Sequence, residues 1–106
     1  MSTFELTFSR VIVTTLTPNT DSSFTVPSGY VWKIESAGIA GTNGVVYLKS
    51  NSNEKIAILF SSINRNDYSS PLPYWLNDAF SSGKFLNESN FPGSVSITEY
   101  FINTIA

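Results

Sequence analysis

Apolar and polar side chains alternate with period two along most of this chain, and turn-forming clusters interrupt the alternation about every 8 to 14 residues. That pattern suits short strands with one buried face, and no stretch carries a helical period with caps. Phe4, Leu6, Phe8 and Ile12 fall on one face near the start, opposite Glu5, Thr7 and Ser9. Arg10 interrupts the apolar face ahead of the β-branched run Val11 to Thr15. The first strand is therefore either long or broken by a bulge at Arg10. Pro18-Asn19-Thr20-Asp21 supplies a turn, and a second strand follows over Ser22 to Val26. Pro27-Ser28-Gly29 is the sharpest turn signal, because Gly accepts a positive φ.

The third strand spans Tyr30 to about Ile39, with Trp32 and Ile34 pointing inward. Asn43-Gly44 matches a type I′ hairpin joining Ala37–Ala40 to Val45–Lys49. Lys55 to Phe60 reads as a continuous apolar strand after the polar tip Asn51-Ser52-Asn53, and Ser61 to Ser70 as a surface loop. The proline-bearing segment Pro71 to Leu76 belongs at a sheet edge or in an extended segment rather than in mid-sheet. Asn77 to Lys84 reads as a turn and short excursion, Asn90 to Gly93 as another turn, and Ser94 to Ile102 as the last strand. On that strand Val95, Ile97, Glu99 and Phe101 share one face. About eight strands in one antiparallel β-sandwich or jelly roll, a single all-β domain over residues 1–106, is the expected architecture.

The 106 residues contain no Cys and no His, which removes disulfides, thiolate metal sites, cysteine nucleophiles and imidazole general bases. No catalytic residue, metal ligand set or cofactor site is expected, and the chain is read as a non-enzyme. Six Lys+Arg against eight Asp+Glu, scattered singly, form no basic stripe for nucleic acid. No apolar run is long enough to span a membrane as a helix, and the start lacks the order of a secretory signal. Ser, Thr and Asn account for about 37 residues, a polar but uncharged composition suited to strand exteriors and turns.

Two carboxylates among Glu5, Asp21, Glu35, Glu54, Asp67, Asp78, Glu88 and Glu99 would have to converge for glycoside hydrolysis. Their spacing reads instead as solvated charge on turns and strand exteriors. Asn64, Asn66, Asp67 and Asp78 offer oxygen ligands but lack the patterned calcium loop. Asn87-Glu88-Ser89 has the form of a glycosylation sequon, read here as chance in an Asn- and Ser-rich chain. Tyr68, Leu72, Tyr74 and Trp75 are the candidates for an interface or ligand platform, since flat rings bury much area at low entropy cost. If Leu72, Tyr74 and Leu76 face one way, Trp75 faces the other. Strands with two apolar faces, here Val11–Val13 and Lys55–Phe60 as well, suit a domain that packs one face inward and meets a neighbour with the other.

The run Phe24-Thr25-Val26-Pro27-Ser28-Gly29-Tyr30-Val31-Trp32-Lys33-Ile34-Glu35-Ser36-Ala37 resembles small accessory virion proteins of tailed bacteriophages. Those carry a phrase x-Val-Pro-x-Gly-x-x-Trp-Lys-Ile and later a phrase Leu-Pro-x-Trp-Leu. Leu72-Pro73-Tyr74-Trp75-Leu76 matches the second, and Val95 to Ile102 looks like the closing strand. Asn77-Asp78-Ala79-Phe80 stands where a Gly-containing turn is usual. The resemblance implies a head-decoration, head-fibre, neck or tail component located in the virion and assembled in the bacterial host cytoplasm. Its implied partners are other virion proteins and further copies of itself, with a homotrimer favoured. The alternative expectation is a carbohydrate-binding module, in which Tyr68, Tyr74 and Trp75 meet a surface glycan.

Overall fold

The computed structural model describes residues 3–63, 71–77 and 80–105. Its strands are β1 (Thr3–Leu16), β2 (Thr20–Thr25), β3 (Tyr30–Ile39), β4 (Val45–Lys49), β5 (Lys55–Ser61), β6 (Tyr74–Leu76), β7 (Ser82–Glu88) and β8 (Gly93–Ile105). Two four-stranded sheets form, in the orders β1-β8-β3-β6 and β2-β7-β4-β5. The pairs β1–β8, β2–β7, β3–β6 and β4–β5 are all antiparallel, as when one long hairpin is rolled up. Contacts β8–β3 and β7–β4 close the roll. This winding is that of an eight-stranded jelly roll, and the expected all-β sandwich is the observed fold.

Side chains on the inner faces make one core. Trp32, Ile34, Leu76, Val95, Ile97 and Leu16 come from one sheet, and Phe24, Val46, Leu48, Leu59 and Phe85 from the other. Each such side chain contributes roughly 1.5–3 kcal/mol when fully buried. Phe24 stacks on Phe85 with ring centroids 4.5 Å apart and meets Trp32 at 6.0 Å, which joins the two layers. Trp32 and Ile34 point inward as their alternation requires.

The turn at Pro27-Ser28-Gly29 is present. The Tyr30 amide donates to the Pro27 carbonyl at 3.1 Å, and Gly29 has φ of 86°. β1 is both long and bulged, its pairing with β8 shifting between Phe8 and Arg10. Past Phe101 the sheet narrows to β1 and β8 alone, since β3 begins opposite that residue.

Several local expectations fail for a shared reason. β4–β5 is the one pair of consecutive strands hydrogen-bonded within a sheet; the other described strands hand over to the opposite layer. Asn43-Gly44 therefore spans between layers and makes no β3–β4 hairpin. Asn43 does adopt φ of 58°, but Gly44 is needed for space, because a Cβ there would lie 2.4 Å from Ser89 Cβ. The segment read as a turn before Phe85 is already strand from Ser82, with Gly83 and Lys84 paired to Phe24 and Ser23. β2 begins at Thr20 rather than Ser22, and β8 runs from Gly93 to Ile105, beyond the expected ends. Most of the loop Ser61 to Ser70 lies outside the described residues.

Candidate interaction surface

The outer faces of the two sheets differ in chemistry. On the β2-β7-β4-β5 sheet, register places Asp21, Lys49, Lys84 and Glu88 on the outside together with Tyr47. Lys49 Nζ lies 3.1 Å from Asp21 Oδ1, Lys55 Nζ lies 3.3 Å from Glu88 Oε2, and Lys55 also sits over the Tyr47 ring. Charges of both signs are interspersed here, although Lys49 itself is buried and β5 adds the exposed Ile56.

The outside of the β1-β8-β3-β6 sheet carries Lys33 and Glu35, which pair with each other at 3.3 Å. β1 fills its side with apolar groups instead. Leu6, Phe8, Val11 and Val13 are 44%, 60%, 58% and 66% exposed. Alternation demands this arrangement: Ile12 and Leu16 point to the core, so Val11 and Val13 must point away. The bulge between Phe8 and Arg10 puts Leu6 and Phe8 on the side of Val11 and Val13, so the expected common face of Leu6, Phe8 and Ile12 is broken there and Ile12 points to the core. β1 is also an edge strand, 14 residues long and free of Pro and Lys. The other edges belong to strands of six, seven and three residues.

The sequence candidates separate on β6. Tyr74 pairs with Ile34 and packs against the core, as does Leu72, and Leu76 is fully buried. Trp75 faces the opposite way and is 44% exposed. Its ring lies 5.7 Å from that of Tyr100 and 5.5 Å from Lys33 Nζ. Tyr74 and Trp75 therefore share no platform, and Tyr68 lies outside the described residues. Tyr100, which the sequence reading passed over, is the ring that joins Trp75. Its alternation on β8 with Thr98 and Ile102 was the available signal.

Behind the β1 bulge sits a carboxylate. Glu99 is 3% exposed, and it accepts hydrogen bonds from Trp32 Nε1 at 2.9 Å, Ser9 Oγ at 2.9 Å and Arg10 Nε at 3.1 Å. Burial pushes its pKa upward, but the bonds from Trp32, Ser9 and Arg10, with the guanidinium charge, outweigh this and hold it below the ordinary value. Glu99 thus departs from the reading of the carboxylates as solvated exterior charge. A carboxylate held ionised by three donors braces the fold and is a poor proton donor.

Asn87 is fully buried, with its amide donating to the carbonyls of Leu16 and Phe91 and accepting from Ser89 Oγ. The apparent sequon is a structural knot. Asn64, Asn66, Asp67 and Asp78, the oxygen-ligand candidates, lie outside the described residues. A shallow cleft lined by Gly38, Ile39, Ala40, Pro92, Gly93 and Ser94 offers no ionisable side chain. Compared with known proteins, the chain matches no family model, no curated protein and no solved structure.

Proposed function

We propose that this protein is a non-enzymatic structural component of a tailed-bacteriophage virion, a head or tail accessory protein that works by assembly with its own copies and with other virion proteins. The observation that carries the reading is the contrast between the two sheet exteriors. Among the described residues, one carries two ion pairs and a single exposed large aliphatic residue, Ile56, and the other, beside the Lys33–Glu35 pair, exposes four large apolar side chains along a long edge strand. Exposed apolar area of that kind marks a surface used for contact. The absence of His and Cys and the likeness at Phe24 to Ala37 and Leu72 to Leu76 support the same reading.

Size-exclusion chromatography with light scattering tests it. Self-association at micromolar concentration is the expected result, with a trimer the form implied by the resemblance. A strictly monomeric chain overturns it. The adjacent rings of Trp75 and Tyr100 favour one second reading, a carbohydrate platform on the β6 side of the sheet. A glycan panel read by tryptophan fluorescence decides that question, and no shift with any sugar removes it.

A further inference from the structure

We infer that the free edge of β1 pairs antiparallel with β1 of a second copy, centred on Val13, so that two sheets join into one continuous sheet of eight strands. This inference rests on the assembly reading and names the partner and the register.

The argument starts from what an edge strand leaves open. Alternate N–H and C=O groups of β1 point away from β8, and no other described strand pairs with them. Sheet edges are commonly blunted by shortness, Pro, charged side chains or bulges; β1 has the bulge between Phe8 and Arg10 and two charged residues, Glu5 and Arg10, both outside Val11 to Leu16. Beyond the bulge, Arg10 to Leu16 pairs with β8 over seven residues without a shift. That segment is the straight template.

Its symmetry selects the register. Opposed residues of an antiparallel pair lie on the same face, so the contact must centre on a residue or skip by two. Centring on Val13 uses all seven residues: Val13 meets Val13, Val11 meets Thr15, Ile12 meets Thr14 and Arg10 meets Leu16 of the second copy. A centre nearer Arg10 runs into the bulge sooner, and one nearer Leu16 runs off the end of the strand sooner. No like charges are opposed, because Arg10 is the segment's one charged residue and faces Leu16. The pairing also covers Val13 and Val11, which are 66% and 58% exposed.

Position on the face favours this contact over flat stacking of sheet exteriors. The middle of the same face, on β8, is Ser94, Ser96 and Thr98, while the exposed aliphatic residues lie along β1 itself. An edge contact uses the apolar part and leaves the polar part wet. The contact is isologous and closes at two copies.

The chain has no cysteine, so single Cys variants read the register directly. In Val13→Cys the two opposed Cα atoms would stand ~4.5–5.5 Å apart, within reach of a disulfide. In Val11→Cys the two copies of residue 11 would be four residues out of register, ~13 Å apart, and out of reach. The expected result is a wild-type dimer by light scattering, covalent dimer from Val13→Cys under mild oxidation, and none from Val11→Cys alone. Mixing Val11→Cys with Thr15→Cys restores the cross-link. An oligomer, such as a three-fold ring, in which Val13→Cys fails to cross-link or cross-links no better than Val11→Cys, overturns the edge pairing and leaves the assembly reading standing. A monomer overturns both.

Discussion

The indole N–H of Trp32 donates to Oε2 of Glu99 at 2.9 Å, tying β3 to β8 inside the sandwich. The other carboxylate oxygen of Glu99 takes Ser9 Oγ and Arg10 Nε, which flank the irregularity in β1. One buried side chain thus fixes the point where β1 changes register.

Removing that acceptor should loosen the fold measurably. Glu99→Ala leaves the buried indole N–H unpaired and opens a small void, at an expected cost of about 2–4 kcal/mol. Glu99→Gln keeps an oxygen for Trp32 and should cost about 1 kcal/mol. Urea unfolding of both variants checks the order, and equal losses would show that the indole bond does not matter.

The same carboxylate predicts a pH dependence. Its folded pKa is depressed below the ordinary value of 4.5, so the native state prefers the ionised form more than the unfolded chain does. The resulting stabilisation is fully present above about pH 4.5 and is lost as pH falls through the lower folded pKa. Urea midpoints measured from neutral to acid pH should therefore drop below that point in the wild type. In Glu99→Gln the acid limb should be shallower, and an unchanged slope would assign the acid loss to other carboxylates.

Glycines separate into those needed for space and those not. A Cβ on Gly83 would lie 2.5 Å from the Lys49 carbonyl oxygen, which is backbone and cannot swing aside, so Gly83→Ala should cost about 2–3 kcal/mol. Gly38 has nothing within 4 Å of the same construction, and Gly38→Ala should stay within about 0.5 kcal/mol of wild type. Thermal melting compares the pair. Similar midpoints would remove the steric account.

Gly83 also marks where sequence reading stops being sufficient. Ser82-Gly83-Lys84 has the composition of a turn, and it is the close approach of the neighbouring strand β4, with the Phe24 and Phe80 rings, that explains a glycine inside a strand. Asn43-Gly44 misled in the same way: its local chemistry fits a hairpin, but its flanking strands belong to different layers. Strands whose inner faces are set by alternation alone were legible, as at Tyr30 to Ile34 and along Val95, Ile97 and Glu99; past Ile34 a register shift turns Ala37 and Ile39 to the core, which alternation does not give. The edge position of Tyr74 to Leu76 followed from its prolines, and the outward turn of Trp75 from the period of two. The burial of Glu99 was signalled by its place on the apolar face of the last strand, a cue outweighed by the general rule that carboxylates face water. The prominence of β1 was not legible, because an edge is a property of sheet order and sheet order is non-local.

Trp75 and Val13 should now behave oppositely. Trp75 lies on β6, at the sheet edge remote from β1, and its half-exposed ring touches Lys33 and Tyr100. Trp75→Ala should cost about 1–2 kcal/mol, less than the 3–5 kcal/mol of a buried aromatic, and leave self-association unchanged. Val13→Glu, at a position 66% exposed, should shift stability by no more than about 0.5 kcal/mol while placing two carboxylates opposite each other in the pair and dispersing it to monomers. Melting and sizing the two variants side by side reads both properties. A Trp75→Ala protein that falls to monomer while Val13→Glu stays associated would move the contact to the β6 side of the sheet.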